Sequence, residues 1–196
     1  MHNRHEGVTR LPSASGVLVV AATPFELAFV EDAETLCCGI GPVEAAVATA
    51  AALERTRPAA VLHIGIAGAR TLEPGALVIG SEAVYCDLVN PKSALPKVER
   101  LAPDAALLAQ AARALPEAHV EPIATTARVG GGAACAGVEA MEGFAVLRAA
   151  ALAGVPAVEL RAISNGFGDD RAAWRVDDAL AALAQAVPRV LEAAGA

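Results

Sequence analysis

The sequence predicts an α/β fold in which a β-sheet packs between helices. Short apolar runs typical of buried strands alternate with Ala-rich helical segments along most of the chain, and such alternation is typical of this fold class. The 196 residues are 55% hydrophobic but only 3% aromatic. This composition favours closely packed helices over an aromatic-rich β-sandwich, and the length suffices for one domain with a sizeable core.

The first half of the chain is predicted to contain two strand–helix pairs followed by two further strands. Thr23 is a candidate helix N-cap and Pro24 occupies the first helical position after it. Glycines and Pro42 precede a long Ala-rich stretch, which predicts the second helix. The predicted elements are a strand over 16–22, a helix from Thr23, a strand over 35–38, a helix over 42–57, a strand over 60–64 ending in a turn over 65–69, and a strand over 76–85.

The second half begins with a predicted surface loop, because Pro91, Pro96 and several charged residues fall within residues 86–102. Three consecutive glycines at 130–132 predict a flexible break. Residues 1–15 are polar and aperiodic, so we expect a flexible N-terminal tail and a single domain over 16–196. The remaining predicted elements are a helix over 104–114, a strand over 120–129, a helix over 142–153, a strand over 155–163 and a helix over 177–192.

Charge and cysteine content favour an acidic protein that acts on small molecules. The net charge is −7 and the chain has no block of Lys or Arg, which argues against nucleic-acid binding. No apolar stretch reaches the roughly 18 residues of a membrane span, and the first residues lack the apolar centre of a signal peptide. The four cysteines form no C-x-x-C pair and have no His at metal-ligand spacing. We therefore expect a cytoplasmic protein without membrane, metal or organic cofactor.

Several segments allow both a structural and a functional interpretation. Residues 39–44 begin like a dinucleotide-binding fingerprint but carry Glu44 at the third glycine position, which argues against a dinucleotide site. The remaining interpretations are a tight turn and a backbone amide nest. The glycines of 65–69 allow either close packing or the approach of a ligand. Glu26 is either a helix-dipole residue or a carboxylate that positions water. Glu139 and Glu142 are either first-turn acids or acceptors for a vicinal diol.

Asn165 lies where a strongly apolar strand pattern stops, immediately before Gly166. Ligands of α/β proteins bind outside the carboxyl ends of strands, and a carboxamide there donates and accepts hydrogen bonds without titrating. If Asn165 faces a nucleobase, its amide identifies which base the protein binds. Trp174, the single Trp, is either a core anchor or a wall of the ligand site.

Five separated segments resemble, in order, the purine nucleoside phosphorylase / methylthioadenosine nucleosidase superfamily. They are A-T-P-F-E at 22–26, G-I-G at 39–41, G-I-A-G at 65–68, V-E-A-M-E-G at 138–143 and L-R-A-I-S-N at 160–165. The resemblance covers about residues 16–194. The last third of the chain is most similar to futalosine hydrolases, which are nucleosidases of the alternative menaquinone pathway. It implies a nucleoside phosphorylase-like α/β fold, with a three-layer mixed sheet flanked by helices.

The resemblance also implies an N-glycosidic hydrolase and assigns its site residues. Glu26 corresponds to the carboxylate that orients and deprotonates the attacking water. Glu142 corresponds to the carboxylate that holds the ribose 2′ and 3′ hydroxyls, with Met141 beneath the sugar. Asn165 stands where adenine-specific nucleosidases carry Asp, and its NH₂ suits the 6-oxo group and N7 of hypoxanthine. The other substrate-binding candidates are Gly65, Ile66, Ala67 and Arg161.

The predicted function is hydrolysis of futalosine, with release of hypoxanthine, by a homo-oligomer. One alternative is a phosphorylase, since Arg70 follows the 65–69 segment closely. The other is a non-catalytic nucleoside-binding homologue, because the glycine-rich segment 130–137 replaces a longer segment that often carries a base-stacking aromatic in related nucleosidases. The benzoate of futalosine requires a cation, and the candidates are Arg70, Lys92, Arg128 and Arg171.

Overall fold

A computed structural model describes residues 16–88, 94, 96–132 and 134–195. The predicted N-terminal tail, residues 1–15, lies outside the described residues. Among those that are described, no helix is both long and apolar enough to cross a membrane.

The described chain forms strands and helices that alternate for most of its length, as predicted. The strands are β1 (Val17–Ala21), β2 (Glu34–Cys37), β3 (Ala60–Ala69), β4 (Leu77–Tyr85), β5 (Arg100–Leu101), β6 (His119–Thr125), β7 (Val138–Ala140) and β8 (Ala157–Gly166). The helices are α1 (Pro24–Leu27), α2 (Pro42–Thr56), α3 (Ala105–Ala114), α4 (Gly143–Ala153) and α5 (Val176–Gly195), with a 3₁₀ turn at Arg171–Ala173.

All eight strands belong to one mixed sheet, part of which closes on itself. β3 pairs with β8, β8 with β4, β4 with β6, β6 with β7, and β7 again with β3. β1 and β2 extend the sheet from β3 as parallel strands, whereas the β3–β7, β4–β8 and β4–β5 pairs are antiparallel. This arrangement confirms the predicted α/β fold with a mixed sheet.

Two hydrophobic clusters cover opposite faces of the sheet and produce the three layers. One cluster packs strand residues such as Leu62 and Leu160 against α3 and α5, which contribute Leu107 and Leu183. The other packs different strand residues against α2 and α4. The Ala-rich composition fits this arrangement, because small side chains let helices lie close to the sheet and to one another.

One edge of β3 serves two different strands. Residues 60–63 pair with β1, and residues 68–69 pair with β7. β8 occupies the other edge over residues 61–69. On the first edge, no strand among the described residues pairs with the backbone around Ile66. An N–H group in this gap is therefore available to a side chain, and the gap lies at the carboxyl end of β1.

The structure corrects several predicted boundaries. Residues 65–69 do not form a turn but continue β3, because β8 and β7 supply hydrogen-bonding partners. Asn165 lies within β8, which runs to Gly166 rather than ending at 163. β6 ends at Thr125, earlier than predicted, and the predicted loop over 86–102 contains the short strand β5. These differences arise from strand pairing between distant segments, which local sequence patterns do not report.

Candidate active site

A cavity of about 370 Å³ lies at the carboxyl ends of β1, β6, β7 and β8, beside the second half of β3. This is the position at which α/β proteins bind ligands. The lining residues are Ala22, Thr23, Phe25, Glu26, Ile40, Ile66, Ala67, Gly68, Thr126, Arg128, Val129, Glu139, Ala140, Met141, Glu142, Ser164, Asn165, Arg171, Trp174, Val176, Asp177 and Leu180.

Glu26 is fixed at the floor of the cavity by three hydrogen bonds. The backbone N–H and the hydroxyl of Thr23 donate to Glu26 Oε2 over 3.0 and 2.7 Å. The N–H of Ile66, in the unpaired gap of β3, donates to Glu26 Oε1 over 3.0 Å. The residue is only 6% exposed, so these donors replace the water that a buried carboxylate would otherwise need.

Glu142 lies at the N-cap of α4 and is also buried. The N–H of Gly41 donates to its Oε1 over 2.9 Å, and Gly41 adopts a φ of 91° that favours glycine. Residues 39–41 therefore present a backbone donor to a site carboxylate. Burial raises the pKa of Glu142, although the nearby Arg161 guanidinium and the Gly41 N–H act in the opposite direction.

Arg161 is 1% exposed and lies behind the cavity wall rather than in it. Its Nε donates to Glu159 Oε1 over 2.7 Å, and its Nη2 contacts His63 Nε2 and lies 3.9 Å from Glu142 Oε2. Burial opposes the positive charge, but Glu159 and Glu142 outweigh that effect and raise the pKa of Arg161. Arg161 thus positions Glu142 from behind.

Gly65 creates the space that this arginine occupies. A Cβ at position 65 would lie 2.1 Å from Arg161 Nη1 and 2.9 Å from Glu26 Oε1. His63 completes the buried group: Nδ1 lies 3.0 Å from the carbonyl of Val20 and must donate to it, which leaves Nε2 as the acceptor. Burial, assisted by the Arg161 charge, holds the pKa of His63 well below 6.5.

Asn165 faces the cavity because of a bulge in the β3–β8 pairing. Ala67 pairs with Ile163 but Gly68 pairs with Asn165, so Ser164 is the extra residue. Bulges re-aim side chains in this way. Asn165 Oδ1 accepts from the Ser164 hydroxyl over 2.8 Å, and Nδ2 donates to the carbonyl of Gly166 over 3.0 Å. Among the described residues Nδ2 makes this one hydrogen bond, which leaves its second N–H for a ligand.

Glu139 is a second buried acid on the cavity wall, 6% exposed. The N–H groups of Gly130 and Gly132 donate to its two carboxylate oxygens over 2.6 and 2.8 Å. Residues 130–132, predicted as a flexible break, therefore form a turn whose N–H groups bind this carboxylate. The sequence analysis offered Glu139, like Glu142, either as a first-turn acid or as an acceptor for a vicinal diol.

The exposed rim of the cavity carries aromatic and cationic side chains. Phe25 is 76% exposed, and the Arg171 guanidinium lies 4.2 Å from the ring centroid of Trp174. Both Arg128 and Arg171 line the cavity. The Arg70 guanidinium lies over the ring of Phe167, 5.5 Å from its centroid, outside the lining.

Six of the eight predicted site residues line one cavity: Glu26, Ile66, Ala67, Met141, Glu142 and Asn165. Gly65 and Arg161 do not line the cavity. They lie behind its wall, where Gly65 leaves room for Arg161 and Arg161 lies close to Glu142. Lys92 lies outside the described residues. Trp174 lines the cavity, which favours a wall of the site over a core anchor. Sequence reasoning did not select Thr23 or Phe25 as site residues, although both fall in the A-T-P-F-E segment that carried the resemblance.

The cysteines do not form a metal centre in the part of the chain that the structure describes. Cys37 is exposed, Cys38 is buried, and Cys86 and Cys135 are partly buried. No group of three or more His, Cys, Asp or Glu residues among the described residues could hold a metal ion.

Comparison with known proteins relates the chain to the phosphorylase superfamily and to futalosine hydrolases. The family model described as the phosphorylase superfamily matches residues 34–195. Futalosine hydrolase of Streptomyces coelicolor is 39% identical over 184 residues, covering 80% of this chain and 77% of the relative. Futalosine hydrolase of Thermus thermophilus is 35% identical over 185 residues and covers 80% of both chains.

Solved structures support the same fold. A methylthioadenosine/S-adenosylhomocysteine nucleosidase of Colwellia psychrerythraea, in complex with adenine, has a TM-score of 0.79 and 22% identity over 90% of this chain and 94% of its own. Futalosine hydrolase of Helicobacter pylori has a TM-score of 0.74 and 17% identity over 90% and 97% of the two chains.

Proposed function

The chain belongs to the futalosine hydrolase family within the phosphorylase superfamily, and on that premise we propose that it hydrolyses futalosine and releases hypoxanthine. The observation that carries the proposal is the meeting of Glu26, Glu142 and Asn165 on the walls of one cavity. These residues come from three distant segments of the sequence. They supply an acceptor for water, an acceptor for the sugar and a hydrogen-bonding group for the base.

The chemistry of N-glycosidic cleavage suits these groups. As the bond breaks, positive charge develops on the ribose and negative charge on the purine. Glu142 accepts from the ribose 2′ and 3′ hydroxyls and stabilises the developing cation, with Met141 against the sugar. The N–H of Ile66 is the hydrogen-bond donor to Glu26 Oε1 among the described residues, and this oxygen keeps a lone pair with which to accept the proton of the attacking water.

Asn165 contacts the leaving group in this proposal. Its remaining N–H donates to the 6-oxo group or N7 of hypoxanthine, where negative charge develops. The Ser164 hydroxyl and the Gly166 carbonyl fix the orientation of the amide. Since the donor is already in place, no side chain needs to reorient as the charge forms.

The rim binds the benzoate end of the substrate. Arg128 and Arg171 are exposed and line the cavity, whereas the three acids Glu26, Glu139 and Glu142 are buried deeper. The indole of Trp174, already beneath the Arg171 guanidinium, offers a face for an aryl ring. We assign Arg171 as the main partner of the carboxylate and Arg128 as a second cation at the same rim.

Water is the nucleophile that the site supports. A phosphate would need guanidinium and hydroxyl donors near the sugar. The Arg161 guanidinium is already paired with Glu159 and His63 behind the wall, and Ile66 and Ala67 carry no hydroxyl. The phosphorylase alternative therefore has less support than hydrolysis.

We also propose a cytoplasmic, homo-oligomeric enzyme that serves menaquinone biosynthesis, with residues 16–196 as one domain. Support for self-association comes from an exposed apolar group beside the cavity: Ile40 is 63% exposed, Val43 72% and Val47 66%. Light scattering of the purified protein tests this part, because a monomer at micromolar concentration would contradict it.

Incubation of the pure protein with futalosine, its 6-amino analogue and inosine, with and without phosphate, tests the function. We expect hypoxanthine release from futalosine without phosphate. Strictly phosphate-dependent release would identify a phosphorylase, and binding without turnover would identify a non-catalytic module. Glu26→Gln should lower turnover by about 100-fold or more, within the range that general bases contribute; full activity would remove Glu26 from the mechanism.

A further inference from the structure

Four residues of β3 and β8 form a square on one face of the sheet. His63 pairs with Glu159, and Gly65 pairs with Arg161. Directly opposed residues project to the same face, and residues two apart on one strand share that face. The square therefore brings an imidazole, a carboxylate and a guanidinium together around the space that Gly65 leaves. These three side chains are buried: His63 and Glu159 are 0% exposed and Arg161 is 1% exposed.

The Arg161 guanidinium is held at two of its nitrogens within this square. Nε donates to Glu159 Oε1 over 2.7 Å, and Nη2 contacts His63 Nε2. Because His63 Nδ1 donates to the carbonyl of Val20 over 3.0 Å, Nε2 carries a lone pair and accepts from Arg161. Neither acceptor lines the cavity, so both hold the guanidinium behind the cavity wall.

Glu142 lies on the other side of the same guanidinium. Arg161 Nη2 is 3.9 Å from Glu142 Oε2, which is too far for a hydrogen bond. The other carboxylate oxygen, Oε1, accepts from the N–H of Gly41, whereas the described residues donate no hydrogen bond to Oε2. Arg161 therefore supplies positive charge to Glu142 without occupying Oε2, and Glu142 lines the cavity.

The two acceptors oppose a forward movement of the guanidinium. Opposite charges at this separation attract each other strongly in a buried site, and direct hydrogen bonds strengthen such a pair. A shift of about 1 Å would bring Arg161 within hydrogen-bonding distance of Glu142 Oε2. His63 contacts Nη2, the same nitrogen that faces Glu142, so His63 opposes this shift most directly.

The cost of burying Glu159 favours a functional reason for its presence. Its Oε2 has no hydrogen-bond partner among the described residues, and an unpaired buried acceptor destabilises a fold. Even a fully paired buried ion pair often stabilises a fold no better than apolar packing does. Space for the carboxylate depends on Gly143 at the start of α4, where a Cβ would clash with both oxygens. Stability alone therefore does not explain this arrangement.

We propose that His63 and Glu159 are positioning residues that hold the Arg161 guanidinium back from Glu142, so that Glu142 Oε2 stays free for a ribose hydroxyl. The inference rests on the proposed function, in which Glu142 is the acceptor for the sugar. One position of Arg161 then meets two needs. It lies close enough to stabilise the negative charge of Glu142 and too far away to compete with the sugar.

The affinity difference between a ribonucleoside and its 2′-deoxy counterpart measures whether Oε2 is free. The probes are two C-nucleoside analogues of inosine, because their carbon–carbon bond to the base is not hydrolysed and calorimetry then reports binding without turnover. We expect the unmodified protein to bind the ribonucleoside at least about tenfold more tightly, as a hydrogen bond to a charged acceptor predicts. A ratio near one would contradict the inference, since Oε2 would not be serving the sugar.

His63→Leu and Glu159→Met each remove one acceptor and keep a side chain of similar size. In both variants Arg161 should move onto Glu142 Oε2, so the ratio of the two binding constants should fall by about threefold or more. Glu159→Gln keeps an acceptor for Nε without the charge and should retain part of the discrimination. Thr49→Val is the control, because it removes another buried polar group on α2, outside the cavity; its ratio should equal that of the unmodified protein.

A purely structural role for the square predicts a different result. Loss of folded protein would lower the binding stoichiometry for both analogues but leave the ratio of their binding constants unchanged, which would contradict the inference. Hydrolysis of futalosine, measured separately, tests the proposed function. If the ratio falls in His63→Leu but the unmodified protein releases no hypoxanthine, the inference is supported and the proposed function is not. Failure of the unmodified protein to bind either analogue would contradict both.

Discussion

Replacing Gly65 by Ala should disable the site without changing any residue that lines the cavity. The added Cβ would lie 2.1 Å from Arg161 Nη1, where ordinary contact begins at 3.4 Å. Arg161 must therefore move by about 1 Å, and Glu26 Oε1, at 2.9 Å, must shift as well. Arg161 has little room to move, because Glu159 and His63 hold its guanidinium in a fully buried position.

The magnitude follows from that displacement. A misplacement of about 1 Å at a catalytic centre costs roughly 100-fold in rate, and overpacking of a buried site costs about 1–3 kcal/mol in stability. We therefore expect kcat/KM for futalosine to fall by about 100-fold, and the free energy of unfolding to fall by about 2 kcal/mol.

Steady-state hydrolysis and urea unfolding measure the two effects. Gly80→Ala is the comparison, because Gly80 also lies in a buried strand but its Cβ would meet neighbours only at 3.3–3.5 Å; its activity should change much less. An unchanged kcat/KM in Gly65→Ala would contradict this prediction, since it would show that neither Arg161 nor Glu26 needs its present position.

Three further predictions concern the rim, the base and the buried histidine. Arg171→Gln should raise KM for futalosine by up to about fivefold, the effect of an exposed ion pair, and leave KM for inosine unchanged. Arg175→Gln, in the same loop, is the control. Equal effects of Arg171→Gln on both substrates would exclude Arg171 from carboxylate binding. Asn165→Asp should shift the ratio of kcat/KM values toward the 6-amino analogue by at least about tenfold, and an unchanged ratio would exclude it from base recognition. Because the pKa of His63 lies well below 6.5 in the folded protein, unfolding takes up a proton below that pH, so its contribution to stability is present above pH 6.5 and is lost as the pH falls. The free energy of unfolding, measured with urea at several pH values, should fall less steeply below pH 6.5 for His63→Asn than for the unmodified protein. Identical slopes would contradict the lowered pKa of His63.

Much of the fold was predictable because its signals are local. The apolar run of β1, the Pro-led start of α2 and the Asp104 cap of α3, whose carboxylate accepts from the N–H groups of residues 106 and 107, need no distant partner to form. The predicted turn at 65–69 was wrong for the opposite reason. Its glycines suggested a break, but pairing with β7 and β8 keeps the segment extended.

The fold class, the motifs of the family and the candidates Glu26, Glu142 and Asn165 could all be read from the amino-acid sequence. Which residues line the cavity became clear only from the folded chain. It placed Arg161 behind the wall, since the missing side chain of Gly65 leaves room there. It also placed Glu139 and Asn165 on the two strands that flank Gly68. The physical reason is that side-chain direction in a sheet depends on register, and the bulge at Ser164 shifts that register by one residue.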